Sequence, residues 1–358
     1  MGPGGTGKTT LLKQMEKIHG TIQFDNDLKE LVLIEIQRMI IFDMYDLCQQ
    51  YFKLKNISIK NKATKTFNKH IGSFNDDKLE RLANQLQLNS EFMNYDDNTF
   101  NRDMVQKFIM LWETNTMKNV FKIRESTHVM DNTPYFLDNM LQFCGNSAKV
   151  TFDDYVRLRQ QTTGIVEKTF IVKANNDNIK TNWTFKITDV GGQRTERKKW
   201  FKLFADTDVV IYVMSLSSYD QYLFEDNSQN CWDETFELFK KIVNNIAFIN
   251  TDFIIFLNKM DIFNKKIKSV PITQYNKRDF DEKTQYSEND VKSWVLNKYN
   301  TMFNDANKQY SLNNNNKSTK RDIYHHYTIA TNTNNVEKVI KVIQLQMIKR
   351  VMLKSALM

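Results

Sequence analysis

The sequence predicts an α/β domain with a mostly parallel sheet, interrupted by an inserted all-helical domain. Three observations carry that prediction. A glycine-rich phosphate-binding pattern opens the chain and leads into a helix, the periodic segments before residue 150 are nearly all helical, and after residue 165 short apolar runs alternate with helical ones. Strands alternating with helices imply a mostly parallel sheet covered on both faces. At 358 residues the chain exceeds one ordinary core and calls for about two domains. The boundaries that follow are 1–20 for the phosphate loop and first helix, 21–152 for the helical insert and 153–358 for the rest of the α/β domain.

Each element has its own pattern. Thr9 to His19 reads as a helix, with Leu11, Leu12, Met15 and Ile18 on one face. From Leu28 to about Leu54 no Gly or Pro intervenes and apolar residues recur through Leu31, Ile34, Met39, Phe42, Leu47 and Phe52, which predicts a long helix. Helical periodicity continues over Leu79–Leu88, Met104–Leu111 and Phe136–Phe143. Thr169–Lys173 and Trp183–Thr188 alternate like a hairpin around the turn Asn175–Asn178. Val209–Met214 and Phe253–Leu257 are continuous apolar runs suited to fully buried strands. Helices are expected over Asp233–Val243, Asp290–Tyr299 and Val336–Leu353, and a polar loop over Asn313–Asn316.

Composition excludes several classes. With 41% hydrophobic and 26% charged residues the chain is globular, not disordered. Cys48, Cys144 and Cys231 lie too far apart for a disulfide framework or a zinc knuckle, which fits an intracellular, reducing setting. No apolar run approaches the roughly 20 residues of a membrane span, and no signal peptide opens the chain. The net charge of +8 is dispersed as a solvated lysine-rich surface, and no interleaved aromatic and basic strip predicts a nucleic-acid partner.

Glycine is scarce, and seven of the 10 fall in three short motifs, one of which holds Gly164 alone while the other two carry recognisable chemistry. The first, Gly2-Pro3-Gly4-Gly5-Thr6-Gly7-Lys8-Thr9, fits G-x-x-x-x-G-K-[ST]. In that pattern backbone N–H groups and the helix N-terminus cradle phosphate, the lysine reaches the β/γ oxygens and the Thr9 hydroxyl ligates Mg²⁺. The second, Asp189-Val190-Gly191-Gly192-Gln193, follows a strand. It places a carboxylate to hold Mg²⁺ through water and a glycine N–H near a γ-phosphate. In a third constellation, Asn258-Lys259-Met260-Asp261 closes the run Phe253–Leu257. A carboxylate there can accept from guanine N1–H and its exocyclic amine, a donor pair that adenine lacks. In isolation the same four residues also read as a helix cap.

In this order the motifs describe a guanine-nucleotide-binding domain, and with the helical insert the sequence resembles the α subunits of heterotrimeric G proteins over nearly its whole length. The resembling segments are Leu12–Met15 in the first helix and Arg157–Glu167, similar to the first switch. Asp189–Trp200 is similar to the second switch, Phe256–Asp261 to the guanine-specificity strand, and Thr328–Thr333, with Ala330, to the late loop beside the base. The resemblance implies a Ras-like GTPase fold binding GTP or GDP with Mg²⁺ and hydrolysing GTP. It also implies coupling of transmembrane receptors to effectors at the cytoplasmic face of the plasma membrane. It makes Arg159 an arginine finger and Gln193 the residue that orients the attacking water, with Thr9 and Thr162 on Mg²⁺. Gly2, Gly4, Gly5, Thr6, Gly7, Lys8, Thr10, Asp131, Val156, Arg157, Val190, Gly191, Gly192, Asn258, Lys259 and Asp261 complete the expected nucleotide-binding set.

Departures from the family sharpen the expectations. The chain opens at the phosphate loop, without the family's N-terminal helix and first strand, so contact with a Gβγ dimer is expected to be weakened. Met1–Thr6 also fits a myristoylation pattern, but Gly2 is already required by the loop. Gly5 stands where the family has a glutamate paired with the arginine finger, which implies a less restrained Arg159 and faster nucleotide release. Ile329 replaces a usual cysteine, and the tail Lys354–Met358 keeps an apolar end suited to receptor contact. The alternatives are a truncated, non-enzymatic interaction protein that binds nucleotide weakly or not at all, and a P-loop ATPase or kinase, which Asn258–Asp261 disfavours.

Overall fold

Among the described residues, six α-helices come before the first strand: α1 (Lys8–Ile18), α2 (Asn26–Lys60), α3 (Arg102–Trp112), α4 (Asn115–Lys122), α5 (Thr133–Asp138) and α6 (Phe152–Arg157). Strands β1 (Ile165–Asn176), β2 (Ile179–Val190) and β3 (Val209–Ser215) follow, then α7 (Cys231–Val243), β4 (Asp252–Asn258), α8 (Met260–Lys266), α9 (Glu288–Asn313), β5 (Ile323–Tyr327) and α10 (Thr333–Ser355). The computed structural model describes residues 1–60, 81, 83–84, 100–122, 129–145, 147–176, 179–203, 207–223, 225–226, 228–275, 279–281, 283–313 and 321–355. Contacts divide the chain into two units, one made of Met1–Gln23 with Arg159–Met358 and the other of Phe24–Leu158.

The regular elements among the second unit's described residues are all helices. Val32, Ile36, Ile40, Met44 and Leu47 form an inward stripe on α2 that packs with Val105, Phe108, Leu111, Phe136 and Phe143. Two hydrogen bonds cross its core: Thr133 Oγ1 donates to Asp43, and Trp112 Nε1 donates to Asp138 at 2.7 Å. The expected helix over 136–143 divides at Asn139, whose φ of −114° leaves helical geometry, into α5 and a 3-10 turn over Met140–Phe143. Asparagine offers its neighbours alternative hydrogen bonds and ends helices readily; here Asn139 Nδ2 donates to the Tyr135 carbonyl at 2.7 Å. Helix α6 was not foreseen, although its start carries the Thr-x-x-Asp signature, with Thr151 and Asp154 forming a reciprocal capping box. The expected helix over 79–88 lies outside the described residues except at 81, 83 and 84.

In the first unit β3, β4 and β5 pair in parallel, in the order β3-β4-β5. Alternate residues face opposite sides of the sheet. Tyr212, Met214, Phe253, Ile255 and Leu257 pack with Trp232, Phe236 and Phe239 of α7 and with Val295, Tyr299 and Phe303 of α9. Val213, Ile254 and Phe256 face the other way, against Leu11, Leu12 and Met15 of α1 and Val336, Ile340 and Ile343 of α10. Both faces being covered, β4 is buried along its whole length, as its unbroken apolar run requires. The hairpin β1–β2 forms a separate antiparallel sheet, its ladder running from Ile165↔Val190 to Asn176↔Ile179. The Met1 amino nitrogen donates to the Ile211 carbonyl at 2.6 Å and the Met1 carbonyl accepts from Val213 N–H at 2.9 Å, so Met1 flanks β3 on the side away from β4. Strand β5 was not anticipated, because Tyr324-His325-His326-Tyr327 alternates neither in polarity nor in size.

Phe239 is fully buried and meets Tyr212, Phe253 and Tyr299 edge-on. Phe239→Ala is expected to lower the stability of this unit by about 3–5 kcal/mol. Denaturant titration followed by tryptophan fluorescence measures this, and a loss below about 1 kcal/mol would mean that the α7–sheet contact is not the core described.

Candidate functional site

The loop before α1 leaves the helix start open to a ligand. Gly7 precedes it with φ +100°, no side chain caps the first N–H groups, and no acidic residue lies in the first turn. Such a terminus carries unsatisfied donors and a positive partial charge. Lys8 sits beside it, its Nζ donating to the Pro3 carbonyl at 2.6 Å, which curls the loop around the ammonium. Burial lowers the Lys8 pKa from 10.5 to about 8; Asp189 opposes the shift and Arg197 adds to it.

Three oxygens meet next to Lys8. Thr9 Oγ1 lies 2.5 Å from Thr162 Oγ1 and donates to Asp189 Oδ2 at 2.7 Å, and Thr162 Oγ1 also donates to Asp189 Oδ2, at 3.2 Å. The strand β2 delivers Asp189 at its C-terminal end, α1 delivers Thr9 and the segment before β1 delivers Thr162. Among the described residues no group of three or more His, Cys, Asp or Glu side chains converges to make an all-protein metal cage. One carboxylate and two hydroxyls are hard oxygen donors of the kind Mg²⁺ takes when waters and phosphate fill its remaining positions. The residues present therefore fit Mg²⁺.

The segment after β2 approaches the phosphate loop at backbone distance. A Cβ on Gly192 would lie 2.4 Å from Lys8 Nζ and 2.6 Å from the Gly2 carbonyl oxygen, so only glycine fits. That segment is then locked from behind. Arg197 Nε donates to the Gly192 carbonyl at 3.1 Å, while its Nη1 pairs with Glu234 of α7 at 2.5 Å. Arg194 also reaches Glu234, at 2.8 Å. Burial would raise the Glu234 carboxyl, yet hydrogen bonds from Arg194 and Arg197 hold it below the ordinary carboxylate value. Trp200 Nε1 donates to the Gly191 carbonyl at 2.9 Å, and Glu196 accepts from Gly164 N–H and from Lys199, each at 2.7 Å. Glu196, Arg197, Glu234 and Trp200 were given no role from sequence; an acidic residue in a helix first turn, such as Glu234, carries no signal of its own.

At the end of β4 the Asn258 side chain joins two loops. Its Nδ2 donates to the Thr6 carbonyl at 2.8 Å, and its Oδ1 accepts from Ala330 N–H at 3.0 Å and Thr328 Oγ1 at 3.2 Å. Lys259 follows with φ +60° as the residue that precedes α8, whose first turn holds Asp261, exposed.

Of the residues singled out in the sequence, Gly2 to Thr10, Thr162, Asp189 to Gln193, Asn258 and Ala330 gather around the phosphate loop of the first unit, with Lys259 and Asp261 following Asn258. Arg159 is exposed at the start of that unit's second segment. Asp131, Val156 and Arg157 belong to the other unit. There Asp131 lies in the turn before α5, Val156 is buried, and Arg157 pairs with Asp153 at 2.9 Å and stacks over the Tyr135 ring at 4.4 Å.

Comparison with known proteins identifies the family. The family model described as G-protein alpha subunit matches residues 1–348. The guanine nucleotide-binding protein G(o) subunit alpha of Locusta migratoria is 30% identical over 348 residues, spanning 95% of this chain and 84% of its own. The protein of the same name from Caenorhabditis elegans is 30% identical over 344 residues, with the same shares covered. The guanine nucleotide-binding protein alpha-7 subunit of Caenorhabditis briggsae is 32% identical over 341 residues, again across 95% of this chain and 84% of its own. The chain belongs to the G-protein α-subunit family.

Proposed function

We propose that this protein is a GTP-hydrolysing switch that passes a signal from a transmembrane receptor to an effector. The observation that carries the reading is the meeting of Thr162, Asp189 and Gly192 on Lys8 and Thr9. It makes two segments, one before β1 and one after β2, answer to whatever occupies the phosphate loop. A bound γ-phosphate would hold both and its loss would release them, which is how such segments act as a switch.

Each residue has a definite task in this reading. The loop N–H groups and the start of α1 take the phosphates, and Lys8 places its charge on the β/γ oxygens. Thr9, Thr162 and Asp189 would hold Mg²⁺, which when bound would offset the charge of the phosphates. Gln193 orients the attacking water, and Arg159 places positive charge on the γ-phosphoryl oxygens. Asp261 accepts from guanine N1–H and its exocyclic amine, while Asn258 holds the surrounding loops. Asp131, Val156 and Arg157 are assigned to the nucleotide by their match to the family pattern.

Partners follow from the same reading: a Gβγ dimer, a receptor reached through the C-terminal tail, and an effector. The tail residues 356–358 lie outside the described residues, while Leu345 and Met352 of α10 are exposed. No described helix is long and apolar enough to cross a membrane, which is compatible with attachment at the cytoplasmic face. A second reading, an interaction protein that binds nucleotide weakly or not at all, is favoured by one observation: β2 and β3 belong to separate sheets.

Binding of a non-hydrolysable GTP analogue with Mg²⁺, followed by tryptophan fluorescence, separates the two. Saturable binding competed by GTP and GDP but not by ATP, with hydrolysis abolished by Gln193→Leu, is expected; no binding by the folded protein would establish the second reading. Gly7→Ala should lower analogue affinity at least about 100-fold, because a Cβ there meets Asn258 Nδ2 at 2.3 Å on a backbone of φ +100°. Circular dichroism should stay unchanged in that variant, and retained affinity would refute the loop geometry. Lys8 supplies a pH signature. In the free protein it loses its proton as pH passes about 8, and bound phosphate restores it. Nucleotide binding at pH 9 should therefore take up a proton and weaken as pH rises from about 8 toward 10.5. Calorimetry in two buffers of different ionisation enthalpy measures the uptake, and none at pH 9 would show that Lys8 is charged throughout.

A further inference from the structure

Gln161 and Gln193 touch. Gln161 lies between Arg159 and Thr162, is exposed, and donates from Nε2 to Oε1 of Gln193 at 2.5 Å. The stem of Gln193 passes the phosphate loop, since a Cβ on Gly4 would lie 3.6 Å from Gln193 Cγ. Its carboxamide is thus anchored at its far end by the segment that also supplies Thr162. The same two segments are joined through the backbone, Gly164 N–H donating to Glu196 Oε2 at 2.7 Å and Gly191 N–H to the Gly164 carbonyl at 3.3 Å.

The terminal torsion of a glutamine is broad and roughly two-fold, so a free carboxamide presents oxygen and nitrogen to a given side almost equally. A donor on Oε1 removes that degeneracy. A carboxamide oxygen has two acceptor positions; with one taken by Gln161, the other stays available to a water proton, and both Nε2 hydrogens remain for phosphoryl oxygens. We propose that Gln161 is a positioning residue for GTP hydrolysis, fixing by donation the face that Gln193 turns to the attacking water. The inference rests on the reading of Gln193 given above. In the step concerned, the water oxygen bonds to the γ-phosphorus and the bond from that phosphorus to the β–γ bridging oxygen breaks, its electron pair staying with the β-phosphate. The water proton passes to a γ-phosphoryl oxygen, giving GDP and inorganic phosphate.

The test is single-turnover hydrolysis by the full chain, loaded with GTP and started with Mg²⁺, beside titration with a non-hydrolysable analogue. Gln161→Leu removes the donor and should slow the step about tenfold while analogue affinity stays within about twofold. Gln161→Lys keeps a donor of similar reach and should restore the rate to within about threefold, whereas Gln161→Glu offers only acceptors and should be as slow as the leucine variant. In a Gln193→Leu background, Gln161→Leu should have no further effect. A leucine variant as fast as the unmodified protein, or a lysine variant as slow as leucine with affinity intact, overturns the proposal alone. Analogue binding by the unmodified protein with no measurable hydrolysis overturns the enzymatic reading and the proposal together.

Discussion

The ligand-facing side of the α/β unit depends on one buried carboxamide. Asn258 ends the fully buried strand β4 and spends its side chain on the Thr6 carbonyl, the Ala330 N–H and the Thr328 hydroxyl. Those partners lie on loops more than 300 residues apart in sequence, and Asn258 is the point at which both are measured against the sheet. Each group it satisfies is buried away from water and would cost about 1–3 kcal/mol if left unmade. The close approach of Gly7, which admits no Cβ, follows from the same contact.

From that fixed edge the two segments before β1 and after β2 are held by a different kind of interaction. They are tied by charged and backbone hydrogen bonds at Glu196, Arg197, Glu234 and the Thr9–Thr162–Asp189 cluster, with Trp200 the buried side chain behind them. Packed cores resist displacement, whereas networks of this sort can have two arrangements separated by a few kcal/mol. A rigid sheet with alternating buried faces and a polar, loop-borne rim is the division of labour that a ligand-controlled device needs.

Much of this was legible in the sequence, for identifiable reasons. The buried strands showed as unbroken apolar runs, α1 and α2 as 3.6-residue stripes, and the phosphate loop as glycines grouped in a chain that otherwise avoids them. What was missed carries no periodicity. Strand β5 presents Tyr and His on both faces, α4 and α6 are too short for periodicity to speak, and the division at Asn139 depends on a single residue's backbone. Within the site, the partner of Arg197 is Glu234, which no spacing could have paired with it, and Gln161 stood within a recognisable motif without any sign that it would reach Gln193. Residues 61–80 and most of 81–99 lie outside the described structure, so the helix expected at 79–88 stays an expectation.

The discontinuous make-up of the α/β unit has a consequence for its synthesis. The helical unit is one contiguous stretch, Phe24–Leu158, whose contacting residues have all been synthesised once Leu158 is added. The α/β unit must wait, because α1 buries its apolar face against α10, with Gln14 hydrogen-bonded to Thr333 across 319 positions. At translation rates of about 5–20 residues per second, roughly 10–35 seconds separate completion of the helical unit from emergence of α10. During that interval Leu11, Leu12 and Met15 can meet Val213, Ile254 and Phe256 of the sheet but not Val336, Ile340 and Ile343, so the face of α1 stays half covered until the last helix arrives.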